Sequence, residues 1–192
     1  MYAAVRALER AGVWGDRMTR GLHAALLWLW KTLPIPRWGR WALLWLGNTK
    51  FLVGVVGVVF DERERVLLLR HTYRRRHPWG LPGGWVDGRE RLELGLAREL
   101  GEETGMAIAI GEVFHVRSGY RRPQVDVYYL CDYQGGQFRA NAEIAEARFC
   151  ALDALPADML LGQGPILERA RCLRRERREQ ARIQEARGGD AP

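Results

Sequence analysis

The chain has 192 residues, 47% hydrophobic and 28% charged, which is room for one domain with a real core, or one domain plus an appendage, at the composition of an ordinary soluble globular protein. Its formal net charge of +7 sits at the two ends: residues 1–50 hold eight Lys/Arg against two Asp/Glu and residues 165–192 eight against five, whereas residues 51–164, with 14 against 16, are mildly acidic. Cys131, Cys150 and Cys172 are odd in number and widely spaced, without CxxC or CxH pairing, so neither a disulfide framework nor zinc is suggested and a reducing compartment follows.

Residues 1–50 form a basic, amphipathic helical appendage that holds Trp14, Trp28, Trp30, Trp38, Trp41 and Trp45, six of the eight tryptophans. Pro34 and Pro36 divide it into helices over 18–32 and 37–46. Ala24–Trp30 is apolar, but no small-residue cleavage site follows it, so it is not read as a signal peptide. Residues 41–60 are nearly all apolar, yet Gly47, Asn48, Thr49 and Lys50 interrupt them and the run after Phe51 is β-branched, which predicts a strand and not a spanning helix. Phe51–Phe60 and Val66–His71 then make a hairpin around the polar turn Asp61–Arg65, and the Pro and Gly content of 72–83 predicts a loop.

A helix follows from near Glu90 to Thr104, with Gly105 as its C-cap and Leu92, Leu96 and Leu100 as a buried stripe. Ile108–Val116, Val125–Asp132 and Ala147–Ala151 read as strands, and Leu155–Gly162 as a connector or short helix. Pro165 opens a last helix to about Arg187, apolar only at Ile166, Leu167, Ala170 and Leu173 and charged thereafter.

Glu99, Glu102 and Glu103 stand at i, i+3 and i+4, on one helical face that falls close to the leucine stripe. Like charges at that spacing repel, so the helix either leaves them in water or has a cation to hold them together. Hard divalent ions take oxygen ligands, and a Gly-rich loop precedes this helix. Taken alone, three acids on a helix are a solvated face; here the surroundings decide otherwise.

Gly84, Glu90, Arg98, Glu99, Leu100, Glu102, Glu103, Gly105 and Met106 match every fixed position of G-x5-E-x7-R-E-U-x-E-E-x-G-U, where U is bulky and apolar. The chain thus resembles the Nudix (MutT-like) hydrolases over roughly residues 51–160, including the hairpin before the box, the lead-in Leu81–Gly84 and the segment Glu143–Pro156. The resemblance implies an α/β/α sandwich with a mixed sheet over 51–164, flanked by the N-terminal helices and by a charged C-terminal helix and tail over 165–192. It implies Mg²⁺ or Mn²⁺ on Glu99, Glu102 and Glu103 with the Gly84 carbonyl, and structural roles for Glu90, Arg98 (which orients a glutamate) and Gly105. The general base comes from Glu146 first, then Glu143, with Glu102 as the candidate inside the box.

The implied reaction is water attack on phosphorus in a diphosphate linkage, with a nucleotide-type substrate. A nucleoside diphosphate linked to another moiety, of the ADP-ribose or nucleotide-sugar type, ranks ahead of an oxidised nucleoside triphosphate. A non-catalytic nucleotide sensor is the reading from another class, and the complete set of box glutamates argues against it. Arg70, Arg74, Arg75 and Arg76 ahead of the box, with Tyr120 and Arg122 between two strands, are the expected substrate contacts. Residues 18–46 suit docking or homodimer formation ahead of contact with a membrane surface. Nucleic acid ranks last, and the expected location is cytoplasmic, with the inner face of a membrane as the variant.

Overall fold

The computed structural model describes residues 36–119 and 122–188, together with Trp28 and Thr32. The chain divides into two compact units, Met1–Lys50 and Phe51–Pro192. In the first, helix α1 (Arg37–Gly47) has no buried residue, and Trp38, Trp41 and Trp45 are all exposed. Asn48 closes the helix by donating from Nδ2 to the Leu44 carbonyl at 2.6 Å. The helix expected over 18–32 lies outside the described residues except at Trp28 and Thr32, both helical. No described helix is long and apolar enough to cross a membrane.

The second unit is built on a seven-stranded mixed sheet. Its strands are β1 (Leu52–Phe60), β2 (Val66–His71), β3 (Trp79–Gly80), β4 (Gly83–Trp85), β5 (Ala107–Ser118), β6 (Gln124–Gly135) and β7 (Ile144–Cys150). The main path runs β3-β2-β1-β6-β5, with β4 added to β1 and β7 to β2. Only β1 and β6 pair in parallel, from Leu52↔Gln124 to Phe60↔Asp132. The expected hairpin forms, with Phe60 opposite Val66.

Side chains alternate between the faces of a strand, and the core divides accordingly. Val58, Phe60, Leu68, Tyr128 and Leu130 pack with Ile166, Leu167 and Ala170 of helix α3 (Gly164–Gly188). Val55, Val59, Leu67, Leu69, Val127 and Tyr129 pack with Leu96 and Leu100 of helix α2 (Leu92–Thr104). One helix therefore covers each face, which is the expected α/β/α sandwich.

Helix α2 starts at Leu92, two residues after the expected Glu90. Glu90 belongs instead to a turn, its N–H donating to the Asp87 carbonyl at 3.1 Å, with Arg89 at φ 84° just before it. The C-terminus falls where expected: Gly105 is left-handed at φ 67° and its N–H closes on the Gly101 carbonyl. Residues 72–83 are not loop throughout, since β3 and the start of β4 lie within them.

Candidate active site

The Gly-rich lead-in touches the box helix backbone to side chain. Gly83 and Gly84 pair with Val56 and Val55 of β1. A Cβ at Gly84 would lie 2.2 Å from the Glu99 carboxylate, and one at Gly83, where φ is +146°, would lie 2.2 Å from the Val55 carbonyl oxygen. Gly83 thus requires glycine, for its backbone angle and for the close Val55 carbonyl, whereas a Cβ at Gly84 would displace the Glu99 carboxylate. The approach is used at once: the Gly83 N–H donates to Glu103 Oε2 at 2.8 Å.

Arg98 organises the rest of the box. Its Nε and Nη2 donate to the two carboxylate oxygens of Glu90 at 3.3 and 3.2 Å, its Nη1 to Glu99 Oε1 at 2.9 Å, and its Nη2 to the Trp85 carbonyl at 3.0 Å. Glu102 Oε2 lies 3.6 Å from the same guanidinium, as the i, i+4 spacing allows. Hydrogen bonding from Arg98 holds the Glu90 carboxyl below its ordinary range.

The three helix carboxylates differ in environment. Glu102 is exposed, Glu99 is half-buried, and Glu103 is only 7% exposed. Burial pushes the Glu103 carboxyl up to about 7; Glu99 and Glu143 add to the rise, while the Gly83 N–H and Arg74 oppose it.

A cavity of about 780 Å³ opens beside them, lined by Glu99, Glu102, Glu103 and Glu143. Arg74, Arg117, Asp126, Tyr128 and Gln163 line it too. A second cavity of about 230 Å³ meets the same four glutamates and Asn141. Of the expected substrate contacts, Arg74 is in the larger cavity, whereas Arg70, Arg75, Arg76 and Arg122 are exposed and line neither cavity. Tyr120 lies outside the described residues.

Glu146, expected first as a base, lines neither cavity. It sits within β7 opposite Arg70, and its carboxylate is bound to Arg148 at 2.7 Å. The expected strand start at Ala147 left Glu146 in a connecting loop; β7 in fact begins at Ile144, so the loop that reaches the cavity carries Glu143.

Arg117, Gln124, Asp126, Tyr128 and Gln163 were not foreseen. Asp126 is 8% exposed and accepts from Gln124 Nε2 at 2.6 Å and Arg117 Nη2 at 3.1 Å. A signal for it existed: it is the one acid between apolar residues in Val125–Leu130, and it alternates with Tyr128 on a strand.

Among the described residues no three His, Cys, Asp or Glu side chains are arranged as a metal site. Glu99 is turned to Arg98 and Glu103 to the Gly83 N–H. The donor set itself fits a hard divalent cation, because four carboxylates and the Gly84 carbonyl offer only oxygen. The upward shift at Glu103 comes first from burial, and Glu99 and Glu143 add like charge that a cation would balance.

The model of the NUDIX domain matches residues 50–170. A MutT-like protein of Streptomyces ambofaciens is 36% identical over 91 residues, which are 47% of this chain and 58% of that protein. An ADP-ribose pyrophosphatase of Methanocaldococcus jannaschii is 29% identical over 108 residues, 54% of this chain and 64% of the relative. The chain thus spans less than two thirds of the length of these curated relatives. Among solved structures, an ADP-ribose pyrophosphatase from Streptococcus suis 89-1591 superposes with a TM-score of 0.56 at 25% identity, covering 63% of this chain and 90% of its own.

Proposed function

Since the chain belongs to the NUDIX domain family, we propose that it is a divalent-metal-dependent pyrophosphohydrolase acting on a nucleoside diphosphate linked to another moiety. The observation that carries the reading is the meeting of Glu143 with Glu99, Glu102 and Glu103 on one cavity. Glu99, Glu102, Glu103 and the Gly84 carbonyl would hold Mg²⁺ or Mn²⁺, which when bound offsets phosphate charge and lowers the pKa of a bound water. Glu143 takes a proton from the attacking water as its oxygen bonds to phosphorus. The bridging P–O bond breaks and its electron pair leaves with the departing phosphate. Glu143 suits this role better than Glu146 because it faces the box carboxylates and, among the described residues, has no ion pair to give up. Arg98 keeps Glu99 in place, and Arg74 and Arg117 are positioned for phosphate oxygens or a second anionic group.

ADP-ribose or a nucleotide sugar is the preferred substrate type, the first supported by the names of two of the similar proteins. The test is a panel of ADP-ribose, nucleotide sugars and nucleoside triphosphates with Mg²⁺, with products separated chromatographically. Mononucleotide release from the first two is expected. Tight calorimetric binding with no turnover of any member would overturn the enzyme reading and leave a sensor. The exposed tryptophans of α1 support a contact through residues 18–46 with a second copy of the chain, ahead of a membrane surface.

A further inference from the structure

Asn141 is an exposed residue in the loop ahead of β7, and both ends of its amide are used. Its Nδ2 donates to the carbonyl oxygens of Glu102 at 2.9 Å and Glu103 at 3.3 Å. Its Oδ1 accepts from the N–H groups of Glu143 at 2.9 Å and Ile144 at 2.8 Å. The two carbonyls belong to the last turn of α2, where the helix has no further N–H to offer them. The two N–H groups belong to the segment that carries Glu143. One side chain therefore ties the helix bearing three carboxylates to the loop bearing the fourth. Thr72 holds that loop as well, its N–H donating to the Glu143 carbonyl at 2.8 Å and its Oγ1 to the Ala142 carbonyl at 2.8 Å.

We propose that Asn141 is a positioning residue for Glu143, setting the Glu143 carboxylate against those of the box by clasping the α2 terminus to the loop. The inference rests on the reading of Glu143 as the general base. The chemistry of the position is demanding: two carbonyls need a donor and two N–H groups need an acceptor, and a short side-chain amide supplies both. Aspartate supplies only the acceptor. It keeps the turn of the loop and sets its lone pairs against the two helix carbonyls. Alanine supplies neither. The position is exposed, so neither change opens a cavity in the core.

The experiment compares Asn141→Asp, Asn141→Ala, Glu143→Gln and the double variant Asn141→Ala/Glu143→Gln in the full chain with Mg²⁺, reading kcat, KM and the thermal midpoint. Displacement of a reacting group by about 1 Å costs up to about 100-fold. We expect Asn141→Asp and Asn141→Ala to lower kcat by about 10- to 100-fold with KM changed by less than about threefold. The double variant should be no slower than Glu143→Gln alone, because a positioning residue has nothing left to position. Wild-type kcat in folded Asn141→Asp overturns the inference, and so does an additive loss in the double variant, which would mean that Asn141 acts through the box helix. Full activity in Glu143→Gln overturns the underlying reading of the base, whatever the Asn141 variants do. Loss of activity in Glu143→Gln beside unaffected Asn141 variants overturns the positioning role alone.

Discussion

Helices α2 and α3 start alike and end differently. Each lays an apolar beginning on the sheet, Leu96 and Leu100 on one face, Ile166, Leu167 and Ala170 on the other. Each then becomes charged. In α2 the charge turns inward: Glu103 is buried, and Glu99 is pressed against Gly84 and bound by Arg98. In α3 it stays near the surface and finds opposite charge on the sheet and on the β1–β2 turn, Arg174 with Glu64 and Asp132, Arg178 with Glu64, Arg177 with Glu112. Burying a carboxylate without a full complement of partners works against folding. Pairing charges near the surface contributes little either way. Glu103 is thus kept at a cost to stability that the cations of α3 do not carry, a cost the proposed site would account for.

Glu103→Gln breaks this contrast most sharply. Losing a residue that merely supports a metal ligand costs about 10- to 100-fold, so loss of the proposed ligand should lower divalent-metal-dependent turnover by more than about 100-fold. Stability should move the other way. Without metal, folded Glu103 holds its proton up to about pH 7, whereas the unfolded chain releases it near 4.5. Between those values the unfolded state binds fewer protons, so stability falls as pH rises from 4.5 to 7 and is level above. The full loss is at most about 3–4 kcal/mol. Glutamine still accepts from the Gly83 N–H and carries no charge, so metal-free Glu103→Gln should be more stable than wild type at pH 8 and equal to it near pH 4. Urea denaturation in EDTA at both pH values checks this. A variant less stable than wild type at pH 8 would mean that the buried charge is compensated after all.

Arg174→Ala tests the other helix. Arg174 is 12% exposed, bound to Glu64 at 2.9 Å and to Asp132, with its guanidinium 5.1 Å above the Phe60 ring. Its acids are themselves partly in water and can be solvated when it goes. The expected loss is about 1–2 kcal/mol, above a surface pair because the stem and the ring contact go too. Turnover per folded molecule should not change. Thermal unfolding and kcat together read it, and a loss of kcat would give α3 a part in the site that its position does not suggest.

What was legible in the sequence follows from the range of the physics. Val66–His71 is found as expected, and so are Leu96 and Leu100 in the core and Gly105 at the cap, because periodicity and capping act within a few residues. The box is legible for the same reason. The cavity is not, because Arg117, Asp126 and Tyr128 reach it only through β6 lying parallel to β1, a pairing across some 70 residues of chain. β3 and β4 have two and three residues, too few to display a period. The choice between Glu143 and Glu146 depended on the start of β7, and strand ends are what local reading places worst.

That choice yields the smallest expected effect and a direct comparison within one segment. Glu146 is joined to Arg148 at 2.7 Å, and both side chains are about half in water, 43% and 54% exposed. A pair of that kind contributes about 0.2–1 kcal/mol, and glutamine still accepts from the guanidinium. Glu146→Gln should therefore leave the thermal midpoint almost unmoved and kcat within about twofold of wild type, against the roughly 100- to 10,000-fold loss that removal of a general base brings in Glu143→Gln. The two glutamates are three residues apart and chemically identical, so composition and net charge cannot explain a difference between the variants. Equal, large losses in both would mean that Glu146 too serves the reaction from outside the cavity described. A large loss in Glu146→Gln alone would return the base to the strand, and the separation of inward, working charge from outward, paired charge would then fail within β7 itself.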